Sequence, residues 1–361
     1  MKRILFDLKK EYYLNSLLPL YRALEKDDRY DLWIRSGSDS HRVLGVIPVS
    51  NRGRIEKDLR ERGFRVTGET RGFHGVVCGD ALRNPERYDD VPLFHLDHGV
   101  GIKTLRIRNI VRQRDRRYHV FLEGEYWYDY IRGLGWQDRA DFHITGLPKL
   151  DPFFTPGFYD RGAIEKRLGL DPGKKTVLYA PSYKPSCIDI IGEGILELIP
   201  RYNLIVKLHP YSWGGKYAPH SQHRLFQKLQ GKTGGFHLVP RDDFDVYPYL
   251  FAADTLVSDT SSVVNEFLAL GRHGVICVLP QGNPRHSDGM PVLSLDPAEW
   301  LQGAFPHISA AHELQGAVES ALDPDREMKM SLEEHRNRFF TGLDGRSSRR
   351  VKEVIDSVLF P

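Results

Sequence analysis

Residues 253–271 read ADTLVSDTSSVVNEFLALG, a short apolar strand followed by a hydroxyl-rich turn and an apolar-faced helix. Thr255 to Val257 form the predicted strand, and Ser258-Asp259-Thr260-Ser261-Ser262 form the turn. Side-chain oxygens in such a turn can cap the helix, and the first backbone N–H groups of a helix suit a phosphate. Glu266 stands four residues after Ser262, where it can accept hydrogen bonds from ribose hydroxyls. The stretch predicts a nucleotide site, although an ordinary capped helix has the same pattern.

Strands and helices alternate along the whole chain, with helices predicted at residues 14–26 and Arg54–Arg62. Such alternation is typical of parallel sheets covered on both faces. A turn-rich bridge, Gly146–Pro152, separates two halves, so we predict two doubly wound, Rossmann-like domains that face each other across a cleft. The predicted strands are residues 3–8, Tyr30–Ile34, Val43–Pro48, Gly75–Cys78, Leu93–Asp97, 141–145, Thr176–Ala180, Leu204–Leu208, Phe236–Val239, Thr255–Val257 and Gly274–Leu279.

Length and composition narrow the class of protein. A chain of 361 residues predicts two domains. No window approaches the roughly 18 consecutive apolar residues of a membrane span, and the apolar run at the N-terminus is too short for a signal peptide. Cys78, Cys187 and Cys277 are far apart and odd in number, which indicates reduced thiols and a cytoplasmic location.

A net charge of +3 conceals one basic and aromatic block between residues 103 and 130. Basic residues beside aromatic ones dock proteins on anionic membranes, although a solvated helix face has the same composition. The balanced overall charge and the lack of a nucleic-acid-binding signature argue against nucleic acid as a partner. The block consists of Lys103, Arg106, Arg108, Arg112, Arg114, Arg116, Arg117, Tyr126, Trp127, Tyr128 and Tyr130.

Two histidines stand where predicted strands end: His98 follows Leu93–Asp97, and His209 follows Leu204–Leu208. The carboxyl ends of parallel strands line the ligand crevice, so one histidine from each domain is expected to face it. A single histidine at a strand end is more often structural, and the second one shifts the balance toward function.

The chain has neither a Gly-x-Gly-x-x-Gly fingerprint nor a P-loop. The acidic run at residues 242–245 is interpreted as capping or a solvated loop, so no metal site is expected.

Several segments in the same order resemble the CDP-glycerol glycerophosphotransferase family, the enzymes that prime and extend teichoic acids. The resemblance extends over almost the whole chain. The segments that carry it are Asn15–Leu24, His98–Lys103, Gly146–Asp151, Val177–Lys184, Leu204–Pro210, Asp259–Glu266 and Asp344–Arg350.

The resemblance implies a GT-B architecture and a division into three parts. Residues 1–150 would form an N-terminal acceptor- and membrane-facing domain, residues 151–335 would bind the CDP donor, and residues 336–361 would form a helix that crosses back to the first domain. It also implies roles for individual residues: His98 and His209 as catalytic residues, Lys207, Thr260, Ser261, Ser262, Glu266 and Arg350 in donor binding, and Lys103 and Asp97 on the acceptor side.

The implied reaction needs neither a metal nor a cofactor, since the CDP-alcohol is a substrate. His98 would take a proton from an acceptor hydroxyl, which attacks the β-phosphorus and expels CMP. The acceptor would be a lipid-linked saccharide or a polymer at the inner face of the cell membrane, with the enzyme peripheral to that membrane.

Three departures from the family pattern leave the alcohol open between glycerol phosphate and another polyol phosphate. Asp97 stands where a bulky aromatic is usual, and Thr260 replaces a tyrosine. Residues 279–286 replace an acidic loop that contains tyrosine. The length favours a priming or single-transfer role.

Two other functions suit the same features. A GT-B glycosyltransferase or UDP-sugar 2-epimerase shares the architecture, and a transferase of that kind would release UDP or GDP instead of CMP. A sugar-nucleotide-binding or membrane scaffold protein of this fold would tolerate the loss of His98 and His209. Whether His209 binds the donor or acts as an acid is open at this point, as is the oligomeric state.

Overall fold

The computed structural model describes residues 1–37, 40–43, 47–214, 222–233 and 235–361. The chain divides into two compact units. The first comprises Met1–Gly99, Leu105–Thr155 and Arg338–Pro361, and the second comprises Val100–Thr104 and Pro156–Asn337. The segment Val100–Thr104, which follows the His98-Gly99 pair, therefore belongs to the second unit although the residues on either side of it belong to the first.

The first unit contains a six-stranded parallel sheet in the order β2-β1-β5-β6-β7-β8 and a separate antiparallel hairpin, β3-β4. Its helices are α1 (Tyr13–Glu25), α2 (Arg52–Glu61), α3 (Leu105–Gln113), α4 (Glu125–Gly133), α5 (Asp151–Phe154) and α14 (Ser347–Leu359). Its strands are β1 (Lys2–Leu8), β2 (Tyr30–Ser36), β3 (Ser40–Val43), β4 (Ile47–Ser50), β5 (Gly75–Cys78), β6 (Leu93–Leu96), β7 (Tyr118–Leu122) and β8 (Asp141–Ile144).

The second unit contains another six-stranded parallel sheet, in the order β11-β10-β9-β12-β13-β14. Its strands are β9 (Thr176–Tyr179), β10 (Asn203–Val206), β11 (His237–Leu238), β12 (Thr255–Ser258), β13 (Val275–Cys277) and β14 (His307–Ile308). The helices that follow the first unit's α5 are α6 (Arg161–Leu168), α7 (Ile188–Ile191), α8 (Pro210–Trp213), α9 (Gln222–Thr233), α10 (Tyr247–Ala252), α11 (Ser262–Ala269) and α12 (Leu314–Leu322), with α13 (Arg326–Phe339) leading out of the unit.

Apolar patterning explains the core of the first unit. β1 and β5 are buried on both faces, as expected for central strands of a parallel sheet. α14 buries Val351, Ile355 and Leu359, spaced four residues apart on one helix face, in the same core as α1. The C-terminal helix thus packs in the first unit, and the predicted class of two Rossmann-like α/β sheets is confirmed.

Two sequence predictions need revision. Val43–Pro48 was predicted as one strand, but its ends lie in β3 and β4, and residues 44–46 fall outside the described residues. β7 was missed because it lies inside the basic and aromatic block. That block is not a continuous surface, since Arg106, Arg108, Tyr126 and Trp127 are buried. Among the described residues, no helix combines the length and apolar character needed to span a bilayer.

Gly124, between β7 and α4, allows the C-terminal segment to approach closely. A Cβ there would lie 2.8 Å from the carbonyl carbon of Phe339 and 2.9 Å from Cα of Phe340. Since those atoms are backbone, we expect Gly124→Ala to lower the free energy of unfolding by about 1–3 kcal/mol. Urea denaturation measures this change. Gly133→Ala is the matched control, because a Cβ at Gly133 meets nothing within 4 Å, and equal effects of the two substitutions would contradict the packing argument.

Candidate functional site

His98 lies at the carboxyl edge of the first sheet, two residues after β6. Its Nδ1 is 2.7 Å from the carbonyl oxygen of Gly79. A carbonyl only accepts hydrogen bonds, so this contact assigns the proton of the neutral ring to Nδ1. Nε2 is then the basic nitrogen, and the side chain is 35% exposed. The ring is thus set up to accept a proton.

Two sequence segments singled out above hold the His98 loop in place. The His98 ring stacks on Tyr13 of α1, with centroids 4.0 Å apart and planes at 15°. Its carbonyl oxygen accepts hydrogen bonds from Ser16 Oγ at 3.0 Å and from Lys149 Nζ at 2.7 Å. Ser16 and Lys149 come from the Asn15–Leu24 and Gly146–Asp151 segments, so both motifs orient the same loop.

Asp97 was predicted on the acceptor side, but its carboxylate is buried and contacts other groups of the protein. Oδ1 accepts the Gly99 N–H at 2.9 Å, and Oδ2 lies 2.8 Å from Arg106 Nε. Burial by itself would raise the pKa of Asp97, but the charge of Arg106, with smaller contributions from His98 and His95, outweighs it and lowers the pKa. The geometry gives Asp97 an internal role beside His98.

Arg350 was predicted to bind the donor, yet its guanidinium forms hydrogen bonds within the first unit. Nε donates to the Thr145 carbonyl at 2.7 Å, one terminal nitrogen donates to the Gly342 carbonyl at 2.7 Å, and the other donates to Asp344 at 3.0 Å. These contacts favour a structural role for Arg350.

The Asp344–Arg350 segment leads into α14, whose first turn is bonded to a distant carboxylate. Ser347 and Ser348 donate their N–H groups to Asp151 at 2.8 and 2.7 Å. The segment therefore holds α14 in place through contacts with residues almost 200 positions earlier in the sequence.

The turn between β12 and α11 in the second unit differs in one respect from the prediction. Ser261 is the N-cap residue with extended backbone angles, but its side chain makes no capping hydrogen bond. Thr260, Ser261 and Ser262 are all partly exposed. The Ser261 hydroxyl is therefore not used for capping. The N-terminus of α11 thus presents backbone amides beside side-chain hydroxyls, as anion binding requires.

Asp259 ties this turn to the loop after β9. Its buried carboxylate accepts N–H groups from Ser182, at 3.1 and 3.2 Å, and from Cys187 at 2.9 Å. Burial raises the pKa of Asp259 above its ordinary value, although these hydrogen bonds oppose the shift. The Val177–Lys184 and Asp259–Glu266 segments are thereby held together at the carboxyl edge of the second sheet.

His209 is the N-cap residue of α8 and has the opposite tautomer from His98. Its Nδ1 accepts the Tyr211 N–H at 3.1 Å, so the proton of the neutral ring is assigned to Nε2. The ring packs against Tyr183, with centroids 4.6 Å apart. His209 is thus arranged as a donor through Nε2.

Lys207 and Glu266 are buried near an acidic pair that the sequence interpretation set aside. Burial lowers the pKa of Lys207, and the charges of Asp243 and Asp245 oppose this shift. Burial raises the pKa of Asp245, and Asp243 and Glu266 add to the effect. Asp245 does bond the Tyr247 N–H at the start of α10, as predicted for a cap, but it also lies within electrostatic range of Lys207. The sequence signal for this acidic group near Lys207 was the presence of three carboxylates, Asp242, Asp243 and Asp245, within four residues before a helix.

Lys103 was predicted on the acceptor side, but it lies in the second unit, the half that was predicted to bind the donor. It forms an antiparallel bridge with Leu293, flanked by hydrogen bonds from Thr104 N to Val292 O and from Ser294 N to Ile102 O, at 2.9 and 2.7 Å. Its ammonium is within electrostatic range of Asp259.

Backbone contact also places this segment near α11. A Cβ built on Gly101 would lie 3.5 Å from Cα of Ser262. In the part of the chain that the structure describes, no three His, Cys, Asp or Glu side chains come together as a metal site would require.

Comparison with solved structures identifies the class of fold. The chain is similar to the wall teichoic acid polymerase TagF, with a TM-score of 0.67 and 16% identity over 99% of this chain and 88% of that one. It is also similar to S. aureus MnaA in complex with UDP, with a TM-score of 0.62 and 14% identity over 99% and 97% of the two chains. A UDP-GlcNAc 2-epimerase from Neisseria meningitidis gives a TM-score of 0.61 and 13% identity over 98% and 100%. At such identities the likeness establishes the fold, which is of the GT-B type.

Comparison with protein families is more specific. Residues 103–357 match the family described as CDP-glycerol:poly(glycerophosphate) glycerophosphotransferase. The chain belongs to this family of CDP-glycerol-dependent transferases. A comparison with curated proteins gives no match.

The contacts of Asp259 make a prediction about stability. Asn at this position offers one acceptor oxygen in place of two, so Asp259→Asn leaves a buried N–H group without a good acceptor. We expect a loss of about 1–3 kcal/mol in the free energy of unfolding. Chemical denaturation monitored by circular dichroism measures this loss. Asp242→Asn, a change of the same type at an exposed site, is the control, and an equally small effect for both variants would refute the assigned role.

Proposed function

We propose that this enzyme transfers a polyol phosphate, glycerol phosphate in the first instance, from a CDP-alcohol to a hydroxyl of a lipid-linked saccharide or cell-surface polymer, with release of CMP. The observation that carries the proposal is the His98 ring, which keeps Nε2 as a proton acceptor at the carboxyl edge of the first sheet because Nδ1 bonds the Gly79 carbonyl. Family membership supplies the donor class.

In the proposed reaction His98 is the general base. Nε2 takes the proton of the acceptor hydroxyl as its oxygen forms a bond to the β-phosphorus of the donor. The bond from that phosphorus to the bridging oxygen breaks, and CMP leaves with the electron pair. Imidazole suits this task because its unperturbed pKa, about 6.5, is close to neutrality. The carbonyl contacts of Ser16 and Lys149 keep the loop in place while the proton moves.

The second unit supplies the groups that would hold the donor. The amides at the start of α11, with Ser261 and Ser262, suit the pyrophosphate. His209 would donate through Nε2 to a phosphate oxygen or to the departing CMP, since both roles need the tautomer that the Tyr211 amide imposes. Preorganised donors of this kind stabilise the charge that develops on the leaving group.

Lys207 and Lys103 would add positive charge to the donor site, and Glu266 would accept from the ribose hydroxyls. The proposal includes neither a cofactor nor a metal ion. One solved TagF structure was obtained from a variant with a histidine replaced by asparagine after a soak with CDPG, which supports CDP-glycerol as the first donor to try here.

The first test is to measure which nucleotide the purified enzyme releases from CDP-glycerol, other CDP-alcohols and UDP- or GDP-sugars in the presence of membrane lipid extract. We expect CMP release with wild type and a reduction in kcat of about 10²–10⁴-fold in His98→Ala, the range that general base catalysis contributes. His74→Ala, which changes an exposed histidine of the same unit, should retain activity.

The other outcomes of this assay are equally informative. Release of UDP or GDP would replace the proposal with a sugar-nucleotide transferase of the same fold. CMP release that is undiminished in His98→Ala would refute the assignment of the base. The same assay with EDTA tests the metal-independent reaction, for which we expect no loss of rate.

Association with the membrane is a separate part of the proposal. Of the basic block, Arg112, Arg114 and Arg116 remain exposed around the end of α3. We expect their triple replacement by Glu to reduce binding to phosphatidylglycerol-containing liposomes at least tenfold, because each basic residue near an anionic surface contributes about 1 kcal/mol. Liposome sedimentation measures this binding. The exposed residues Lys57 and Arg60 on α2, with Arg62 directly after it, provide the control triple, and equal binding by both triple variants would rule out this surface.

A further inference from the structure

Three charged side chains in the first unit form a buried network next to His98. Arg106, on α3, donates to both oxygens of Glu123 at 2.6 and 2.9 Å. Its Nε lies 2.8 Å from Asp97 Oδ2. The three side chains are exposed by only 6%, 0% and 4%, for Arg106, Glu123 and Asp97. The Arg106 guanidinium also lies 5.0 Å above the Trp127 ring, which fixes its position.

The charges in this network do not balance. Two carboxylates face one guanidinium, so these three buried side chains carry one net negative charge. An unbalanced buried charge is costly unless another group compensates for it. His98 is a titratable neighbour that can contribute to this compensation, because its Nδ1 is 3.4 Å from Asp97 Oδ1 and it gains a positive charge when it takes a proton.

Other charged groups also lie near His98. Lys149 keeps its positive charge while it donates to the neutral His98 carbonyl, and Asp80, after β5, is paired with Lys9 at 2.5 Å. His95 is fully buried, and burial lowers its pKa to about 4, so it is neutral near pH 7. Within the network, Asp97 carries the charge that faces the His98 ring, at 3.4 Å from Nδ1.

We propose that Asp97, held by Arg106 and Glu123, is a positioning residue that stabilises the protonated form of His98 as this ring takes the proton of the acceptor hydroxyl. Asp97 occupies the position where the family resemblance leads one to expect a bulky aromatic. The arrangement of Asp97 beside His98 is therefore a feature of this chain and not of the family pattern. It also fixes the loop directly, through the Gly99 N–H. The inference rests on the proposed function of His98 as base.

Asp97→Asn isolates the charge, since Asn keeps an oxygen for the Gly99 N–H and removes the negative charge. The first measurement is an NMR titration of the His98 ring in ¹³C-histidine-labelled protein, with the signal assigned by its absence in His98→Ala. We expect the midpoint in the variant to fall by about one pH unit relative to wild type, the effect of losing an opposite charge at this distance. This measurement requires no enzymatic activity.

The second measurement is the pH profile of CMP release. With Asp97→Asn we expect kcat to fall about tenfold or more, the acid limb of kcat/KM to move to lower pH, and the KM for the donor to stay the same. The direction follows from the charge: without the carboxylate the ring loses its proton at lower pH and is a weaker base at the optimum. A purely structural role would change stability and leave the position of the acid limb unaltered.

Glu123→Gln is the second variant, for use if Asp97→Asn does not fold as judged by circular dichroism. This change also removes the net charge of the network, but at a carboxylate farther from His98. We therefore expect the His98 titration and the acid limb of kcat/KM to move in the same direction by a smaller amount. A folded variant with an unchanged His98 titration overturns the inference. If wild type releases no CMP while the titration shifts as expected, the proposed function fails and the coupling between Asp97 and His98 is supported.

Discussion

The burial of Arg106 between Asp97 and Glu123 is the constraint on which the first unit's site depends. The three residues join the end of β6, the start of α3 and the end of β7. Removing one partner of such a buried arrangement typically costs about 3–5 kcal/mol, because a charge is left without compensation. Glu123 also accepts the Thr341 N–H through its carbonyl at 2.8 Å. Glu123 thus takes part in the ionic network through its side chain and holds the C-terminal segment through its backbone.

The two histidines show how backbone contacts can give one side-chain type two tautomers. Each uses Nδ1 for a main-chain contact, but His98 meets a carbonyl and His209 meets an amide. The first contact leaves a basic Nε2 and the second leaves an Nε2–H donor. Proton abstraction from an acceptor and stabilisation of a leaving group require these two states. In the proposed function, the division of labour between the two histidines would therefore originate in loop geometry rather than in the residue type.

The sequence was sufficient where local patterns determine structure and insufficient where distant partners do. Apolar runs located β1, β5 and β12 because central parallel strands are buried on both faces. The sequence interpretation missed β7 because the arginines around it suggested an exposed surface. The contacts of Arg350 were equally hidden, since the Thr145 carbonyl that it binds lies 205 positions away in the sequence. Charge alone cannot distinguish a lysine or arginine that binds substrate from one that binds the protein's own backbone.

The departures from the family pattern occur at the site rather than in the cores. Asp97 lies in the His98 loop, and Thr260 lies in the turn before α11. Residues 279–286 lead into the 292–294 segment that pairs with residues 102–104. The buried strands β6, β9 and β12, by contrast, contain none of these departures. In the proposed function, changes around the reactive groups of an unaltered scaffold would retain the reaction class and affect the choice of alcohol and acceptor.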